Sequence, residues 1–289
     1  MAKRSVILNR EIPRWLNALL IVGTFATLVL WEIKRPLRRS RQDKVSRDAG
    51  NFSLTLLAAA TVTLVEKPLV APLSQAVQRK RWGLLQLTGL PVSVELLLSI
   101  VLLDYTLFIW HFLTHKVPLL WRFHLPHHVD LDMDASTALR FHAGELVLSV
   151  PWRAAQVRVL GISPLALALW QTLTLMEIMF HHSNVQLPIA FERILCRLLV
   201  TPRMHGIHHS TVREETDSNW STIFSWPDRL HGTLRLNVPQ QLITIGVASY
   251  QDPAELGLEK ILSMPFQPER TEPLPVREPL SLPRTILAG

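Results

Sequence analysis

One cysteine in 289 residues, Cys196, excludes an internal disulfide and any thiolate-bound cluster built by a single chain. Its ordinary reading is a small core side chain. Charge is also scarce. Asp, Glu, Lys and Arg make up 18% of the chain, against about 25% in soluble domains, and mean hydropathy is +0.21. Cofactor signatures are missing too: there is no G-x-G-x-x-G for flavin or nicotinamide, no C-x-x-C-H for haem, and no H-E-x-x-H of the zinc proteases. No solenoid repeat occurs, and period-2 alternation is too sparse for a sheet.

What is present is long uncharged sequence. Residues 15–31, 49–65 and 159–176 contain no Asp, Glu, Lys or Arg, and about 17–25 apolar residues suffice to cross a hydrocarbon core. The chain therefore reads as an integral membrane protein, an all-α bundle of about four spanning helices. Helices are expected at about 13–33, stopped by Pro36, and at about 49–67, stopped by Pro68. A third runs from about residue 91 through the apolar 96–103 segment. A hairpin over 145–182 is interrupted at Pro151, Gly161 and Pro164. Three regions follow: membrane helices with basic loops (1–103), a histidine-bearing region (104–233), and a tail (234–289). Seven of the twenty prolines fall in 251–289, which predicts irregular structure there.

The formal charge of +7 does not point to nucleic acid, because the basic residues sit beside the apolar runs. Lys34, Arg35, Arg38, Arg39, Arg41, Lys44 and Arg47 fill one loop, an arrangement that fits topology and anionic lipid. The 66–82 connection has four basic residues, so the richer 34–47 loop is placed in the cytoplasm, and the histidine-bearing end of the third helix with it. The N-terminal Lys3, Arg4, Arg10 and Arg14 precede an apolar run without a small-residue cleavage site, which reads as a retained helix rather than a signal peptide.

All twelve histidines lie within 111–231. His111 and His115 are spaced i,i+4. His124, His127 and His128 form H-x-x-H-H, and His205, His208 and His209 form a second copy. On a helix these spacings bring imidazoles to one face, and neutral imidazole binds zinc, iron, copper or nickel. With His182, nine imidazoles are available. One first-row metal takes four to six ligands, so nine imply two metals. His181 points about 100° away from His182 on a helix and is the weaker candidate. Isolated His231 reads as a surface or loop residue. Asp104 lies two turns before His111, and a carboxylate at membrane depth is usually functional; it would orient an imidazole or pair with an arginine. Asp217 and Asn219 are candidates for similar support, and Arg140, His142 and Glu145 for an ion pair near the site. A membrane zinc hydrolase and a non-enzymatic metal-binding or transport protein are the competing readings.

Six stretches resemble the fatty acid hydroxylase/sterol desaturase superfamily, particularly its bacterial members: D-Y-T-L-F-I-W-H-F-L-T-H (104–115), W-R-F-H-L-P-H-H-V-D (121–130), T-A-L-R-F-H-A-G-E (137–145), H-H-S-N-V-Q-L-P (181–188), T-P-R-M-H-G-I-H-H-S (201–210) and W-P-D-R-L-H-G-T (226–233). The resemblance implies a cytoplasmic histidine-rich helical cap on the bundle, holding a non-haem di-iron centre in a bacterial inner-membrane enzyme. Its metal ligands would be His111, His115, His124, His127, His128, His182, His205, His208 and His209. Asp104, His142 and Asn219 would support catalysis, with His142 a candidate tenth ligand. Two iron ions using O2 as co-substrate would hydroxylate or desaturate a sterol, fatty acyl chain, ether lipid or carotenoid-like lipid. Hydroxylation is preferred, because desaturation requires a second hydrogen close to the oxidant. Electrons would come from a separate ferredoxin or b-type cytochrome with its reductase. Three departures touch the rim of the site: Asn219-Trp220-Ser221 replaces N-Y-G, His231 replaces a Phe, and W-P-D-R replaces W-D-R.

Overall fold

A computed structural model describes residues 7–270. The basic Lys3 and Arg4 and the prolines at 273, 275, 279 and 283 lie outside the described residues. Helices dominate, and pairing between extended segments is limited to three isolated bridges among the described residues.

Helix α1 (Arg14–Lys34) contains the first uncharged run, with Leu28 and Glu32 its only buried residues. Trp15, Leu19, Val22 and Leu30 are exposed, as expected of a helix surrounded by lipid. Helix α2 (Lys44–Thr61) is capped by Asp43, whose carboxylate accepts the Ser46 N–H. Pro68 does not end it. A π-helical turn over Val62–Glu66 leads directly into α3 (Lys67–Lys80), placing Pro68 in the first turn, where its missing N–H costs little. Helix α4 (Val92–Lys116) follows, and a break at Val117 with Pro118 begins α5 (Pro118–His128). The hairpin is α6 (Ala143–Leu160) and α7 (Pro164–His182). Pro151 lies within α6 without interrupting it. The turn comes where Gly161 adopts φ 82° and Ser163 caps the next helix by accepting the Ala166 N–H.

Three stretches are long and apolar enough to span a membrane: Arg14–Lys34, Lys44–Leu87 and Val92–Lys116, with mean hydropathies of 1.8, 1.5 and 2.0. Helices α3, α4, α6 and α7 share a core around Leu103, Val157 and Trp170. Helix α1 packs on α7 through Leu28 and Met179. Beyond the hairpin come α8 (Ile189–Leu195), α9 (Pro202–His208) and α10 (Trp226–His231).

The 34–47 loop and the histidines occupy the same end of the bundle. Part of that loop's charge serves contacts within the protein rather than lipid. Arg47 is buried and forks onto Asp130 at 2.8 and 2.9 Å while reaching Asp134 at 2.7 Å. Lys44 also meets Asp134, at 2.6 Å, and Arg38 donates to the Pro202 carbonyl at 3.0 Å. These side chains bolt the first loop to the histidine-bearing region. Among its described residues, up to 270, the tail is also less irregular than expected. Residues 258–266 are helical, and Met264 and Tyr250 pack against Leu125 and Val129 of the α5 end.

Candidate metal centre

Four elements carry the site: α4 brings His111 and His115, α5 brings His124, His127 and His128, α7 ends at His182, and α9 with its cap brings His205, His208 and His209. Thr201 starts α9 by accepting the Met204 N–H, and Pro202 fixes its first turn. The nine imidazoles fall into two adjacent groups. His111, His115, His124, His128 and His208 form one, and His127, His182, His205 and His209 the other; within each group the available nitrogens all lie within 4.8 Å of one another. Each H-x-x-H-H motif divides two and one. The i,i+4 pair His124–His128 serves the first group while His127 crosses to the second, and the pair His205–His209 serves the second while His208 crosses to the first. His128 and His209 stack at the boundary with centroids 4.3 Å apart.

The arrangement fits metal cations. Imidazole nitrogens face one another at 3.2 Å (His124–His128), 3.0 Å (His127–His182), 3.1 Å (His182–His205) and 3.2 Å (His205–His209). Nε2 of His115 and His208 is buried without a hydrogen-bond partner, an arrangement that is costly unless a cation occupies the centre. Burial, reinforced by repulsion among neighbouring rings, pushes His127, His128, His205 and His209 well below the usual imidazole range. His208 is lowered to about 3, again first by burial. All five are held in the neutral form that binds metal.

Several rings are oriented through Nδ1. That nitrogen meets the Trp220 carbonyl in His111 (2.8 Å), the Ser218 carbonyl in His208 (2.8 Å) and the Ile178 carbonyl in His182 (2.8 Å). His124 Nδ1 donates to Glu145 Oε1 at 3.0 Å, a carboxylate–histidine pairing typical of metal sites. A cavity of about 70 Å³ adjoins both groups, lined by His111, His124, His127, His182 and His205 and by the apolar Leu107, Trp110, Phe141 and Ile178.

The supporting residues expected from sequence take other positions. Asp104 is fully buried but accepts the backbone N–H groups of Ile223 and Phe224 at 3.0 and 3.1 Å rather than an imidazole or an arginine. Asn219 adopts φ 54° and ties the Met204 and Arg235 carbonyls together at 2.9 and 2.8 Å. His142 lies outside both groups: its Nδ1 accepts the Gly144 N–H and its Nε2 meets the Leu262 carbonyl, pinning the tail. Arg140 binds the Pro126 carbonyl and Asn51, not Glu145. Asp217 pairs with Lys116 and Arg213. His181 belongs to neither group; it donates to the Thr222 carbonyl at 3.1 Å and packs 4.1 Å from the His205 ring. His231 is exposed, stacked on Phe108 at 5.0 Å, and Cys196 is buried. Sequence reasoning missed Asp228, whose signal was only its place inside the W-P-D-R stretch. It also missed Glu32, whose carboxylate accepts the N–H groups of Ala135 and Asn184.

Residues 96–233 match the family model described as fatty acid hydroxylase. Among curated proteins, the chain is 26% identical to the ornithine lipid hydroxylase OlsE of Rhizobium tropici over 81% of its own length and 71% of that protein. It is 31% identical to a cholesterol 25-hydroxylase-like protein of Danio rerio over 50% of its length and 57% of the relative. It is 28% identical to alkylglycerol monooxygenase of Homo sapiens over 45% of its length and 28% of that enzyme. The chain thus spans little more than half of the cholesterol hydroxylase-like relative. No solved structure matches it. The family match begins within α4 and ends just after α10, enclosing every histidine of both groups, so the likeness to fatty acid hydroxylases lies in the part of the chain that builds the two histidine groups.

Proposed function

We propose that this protein is a membrane-bound, O2-dependent oxygenase that hydroxylates a lipid at a non-haem di-iron centre. The observation that carries this reading is the pair of adjacent all-imidazole groups bordering one small, largely apolar cavity. Iron in both groups would supply reductive activation of O2 and oxidation of an unactivated C–H bond. The overall reaction takes one C–H bond, O2, two electrons and two protons to a C–OH bond and water. His111, His115, His124, His128 and His208 would hold one iron, and His127, His182, His205 and His209 the other. The protein's part is to keep these rings neutral and fixed, to exclude water, and to admit an apolar chain past Leu107 and Ile178 into the cavity. In this reading the basic 34–47 loop, and with it the histidine groups at the same end of the bundle, lie on the cytoplasmic side of a bacterial inner membrane. An external ferredoxin or b-type cytochrome delivers the electrons. Residues 104–233 act as the catalytic unit and 1–103 as its membrane anchor. A catalytic zinc site uses about three protein ligands and one open position, so nine imidazoles suit a zinc hydrolase poorly.

The test is comparative lipid mass spectrometry of cells expressing the wild-type chain, the His208→Ala variant or neither, grown with air and iron. A lipid class heavier by one oxygen atom and lost in the variant supports hydroxylation. A class lighter by two hydrogens assigns desaturation instead. No difference among the three cultures in the presence of a competent electron donor refutes the oxygenase reading.

A further inference from the structure

Residues 218–224 cross one side of the site as an irregular strip in which three peptide groups each face an imidazole. The carbonyls of Ser218, Trp220 and Thr222 receive Nδ1 of His208, His111 and His181 at 2.8, 2.8 and 3.1 Å. In a planar trans peptide the C=O and the following N–H point in opposite directions, so whatever grips the N–H aims the carbonyl. In all three units the N–H is gripped. Asn219 N–H donates to the Thr233 carbonyl at 3.1 Å, Ser221 N–H to Asp228 Oδ2 at 2.9 Å, and Ile223 N–H to Asp104 Oδ1 at 3.0 Å. Asp228 also accepts the Trp220 N–H at 3.0 Å and the Thr233 hydroxyl at 2.6 Å, so it holds the middle unit directly and the first through Thr233. Its carboxylate is fully buried.

We infer that Asp228 is a positioning residue for one metal of the pair: by fixing the peptide units behind Trp220 and Ser218, it sets the ring orientation and the Nδ1–H tautomer of His111 and His208. Both rings belong to the first histidine group, and His208 Nε2 is the buried, unpartnered nitrogen this leaves for the metal. The second group takes its orientation elsewhere. His182 uses the Ile178 carbonyl, and His127 meets the Arg140 carbonyl at 3.3 Å. A loop-stabilising role alone would make Asp228 matter equally to both groups, whereas positioning makes it matter to one. Asp104 grips the far end of the strip, behind His181, which belongs to neither group.

The inference rests on the two-metal reading, and cobalt titration of the full chain in lipid nanodiscs separates the two, with visible absorption reporting coordination. Wild type is expected to take up two cobalt ions. Asp228→Asn, which removes one acceptor oxygen at constant size, should weaken one ion about 10–100-fold, the usual effect of losing such an outer contact, and leave the other unchanged. Adding His205→Ala should then abolish the retained site. Thr233→Val, which removes only the hydroxyl on Asp228, should weaken the same ion in the same direction and decides the matter if Asp228→Asn does not fold. A wild-type chain that takes up one ion refutes the two-metal reading. Two ions in wild type, with both weakened equally or neither weakened, overturns the role of Asp228.

Discussion

Acidification should dismantle the metal-free histidine cap. Five imidazoles outside the spanning helices (His127, His128, His205, His208 and His209) are pushed below the ordinary range by burial first and mutual repulsion second. Unfolding returns each to a pKa of about 6.5. The native state therefore binds fewer protons, so this contribution to stability is present above about pH 6.5 and is lost as pH falls below it. At about pH 5.5 each unfolded imidazole gains about 1.4 kcal/mol by protonation, so the five together remove about 7 kcal/mol. That is a ceiling, because a cap admitting one proton recovers part of it, but it matches the scale of a whole domain's stability, about 5–15 kcal/mol. Bound metal competes with protons and should move the transition to lower pH. Tryptophan fluorescence suits the assay, since the Trp121 and Trp220 rings lie 5.1 and 6.3 Å from His115. Melting is followed at several pH values with and without ferrous iron. A melting temperature that stays level from about pH 7.5 to about pH 5.5 in the metal-free protein would refute the reasoning.

Three further outcomes are expected. Arg47→Ala leaves the buried Asp130 without its cation and takes one of two from Asp134, and should cost about 3–5 kcal/mol in thermal or denaturant melts; Arg47→Lys should recover only part, because an ammonium cannot fork onto Asp130. Gly161→Ala should destabilise by about 2–4 kcal/mol, since φ is +82° and a Cβ would lie 2.8 Å from the Trp82 carbonyl oxygen. His208→Ala should abolish lipid oxidation while the protein still inserts in membranes, whereas His231→Ala, at an exposed stacked ring, should retain activity.

Helix content was legible because uncharged runs of membrane length carry their own reason to be helical, and the histidines because i,i+3,i+4 spacing is a local pattern. The places where proline does not break the chain were less legible. Pro68 follows a π-turn that only the packing of α3 against α6 reveals, and Pro151 lies inside a helix held by neighbours. The division of each H-x-x-H-H motif between two groups needs the relative placement of α5 and α9, which no spacing encodes. Long-range polar contacts were hidden for the same reason. Arg38 meets Pro202, Arg41 meets Gln251 at 3.1 Å, and Asp104 meets the backbone at 223 and 224. A reading of side-chain types looked for an imidazole beside Asp104. The carboxylate instead grips peptide N–H groups, which every residue but proline possesses and no sequence pattern marks.

Isotope labelling in a purified system tests the central claim most directly. The full chain in nanodiscs of its own host lipid is loaded with two ferrous ions, supplied with a reductant and exposed to ¹⁸O2, and the extracted lipid is analysed by mass spectrometry. The account predicts one ¹⁸O atom in the oxidised lipid and no product from a zinc-loaded sample. It also predicts loss of the product in His208→Ala and in His205→Ala, one variant from each histidine group. Oxygen derived from water in the product, or a zinc-loaded chain as active as the iron-loaded one, would contradict it.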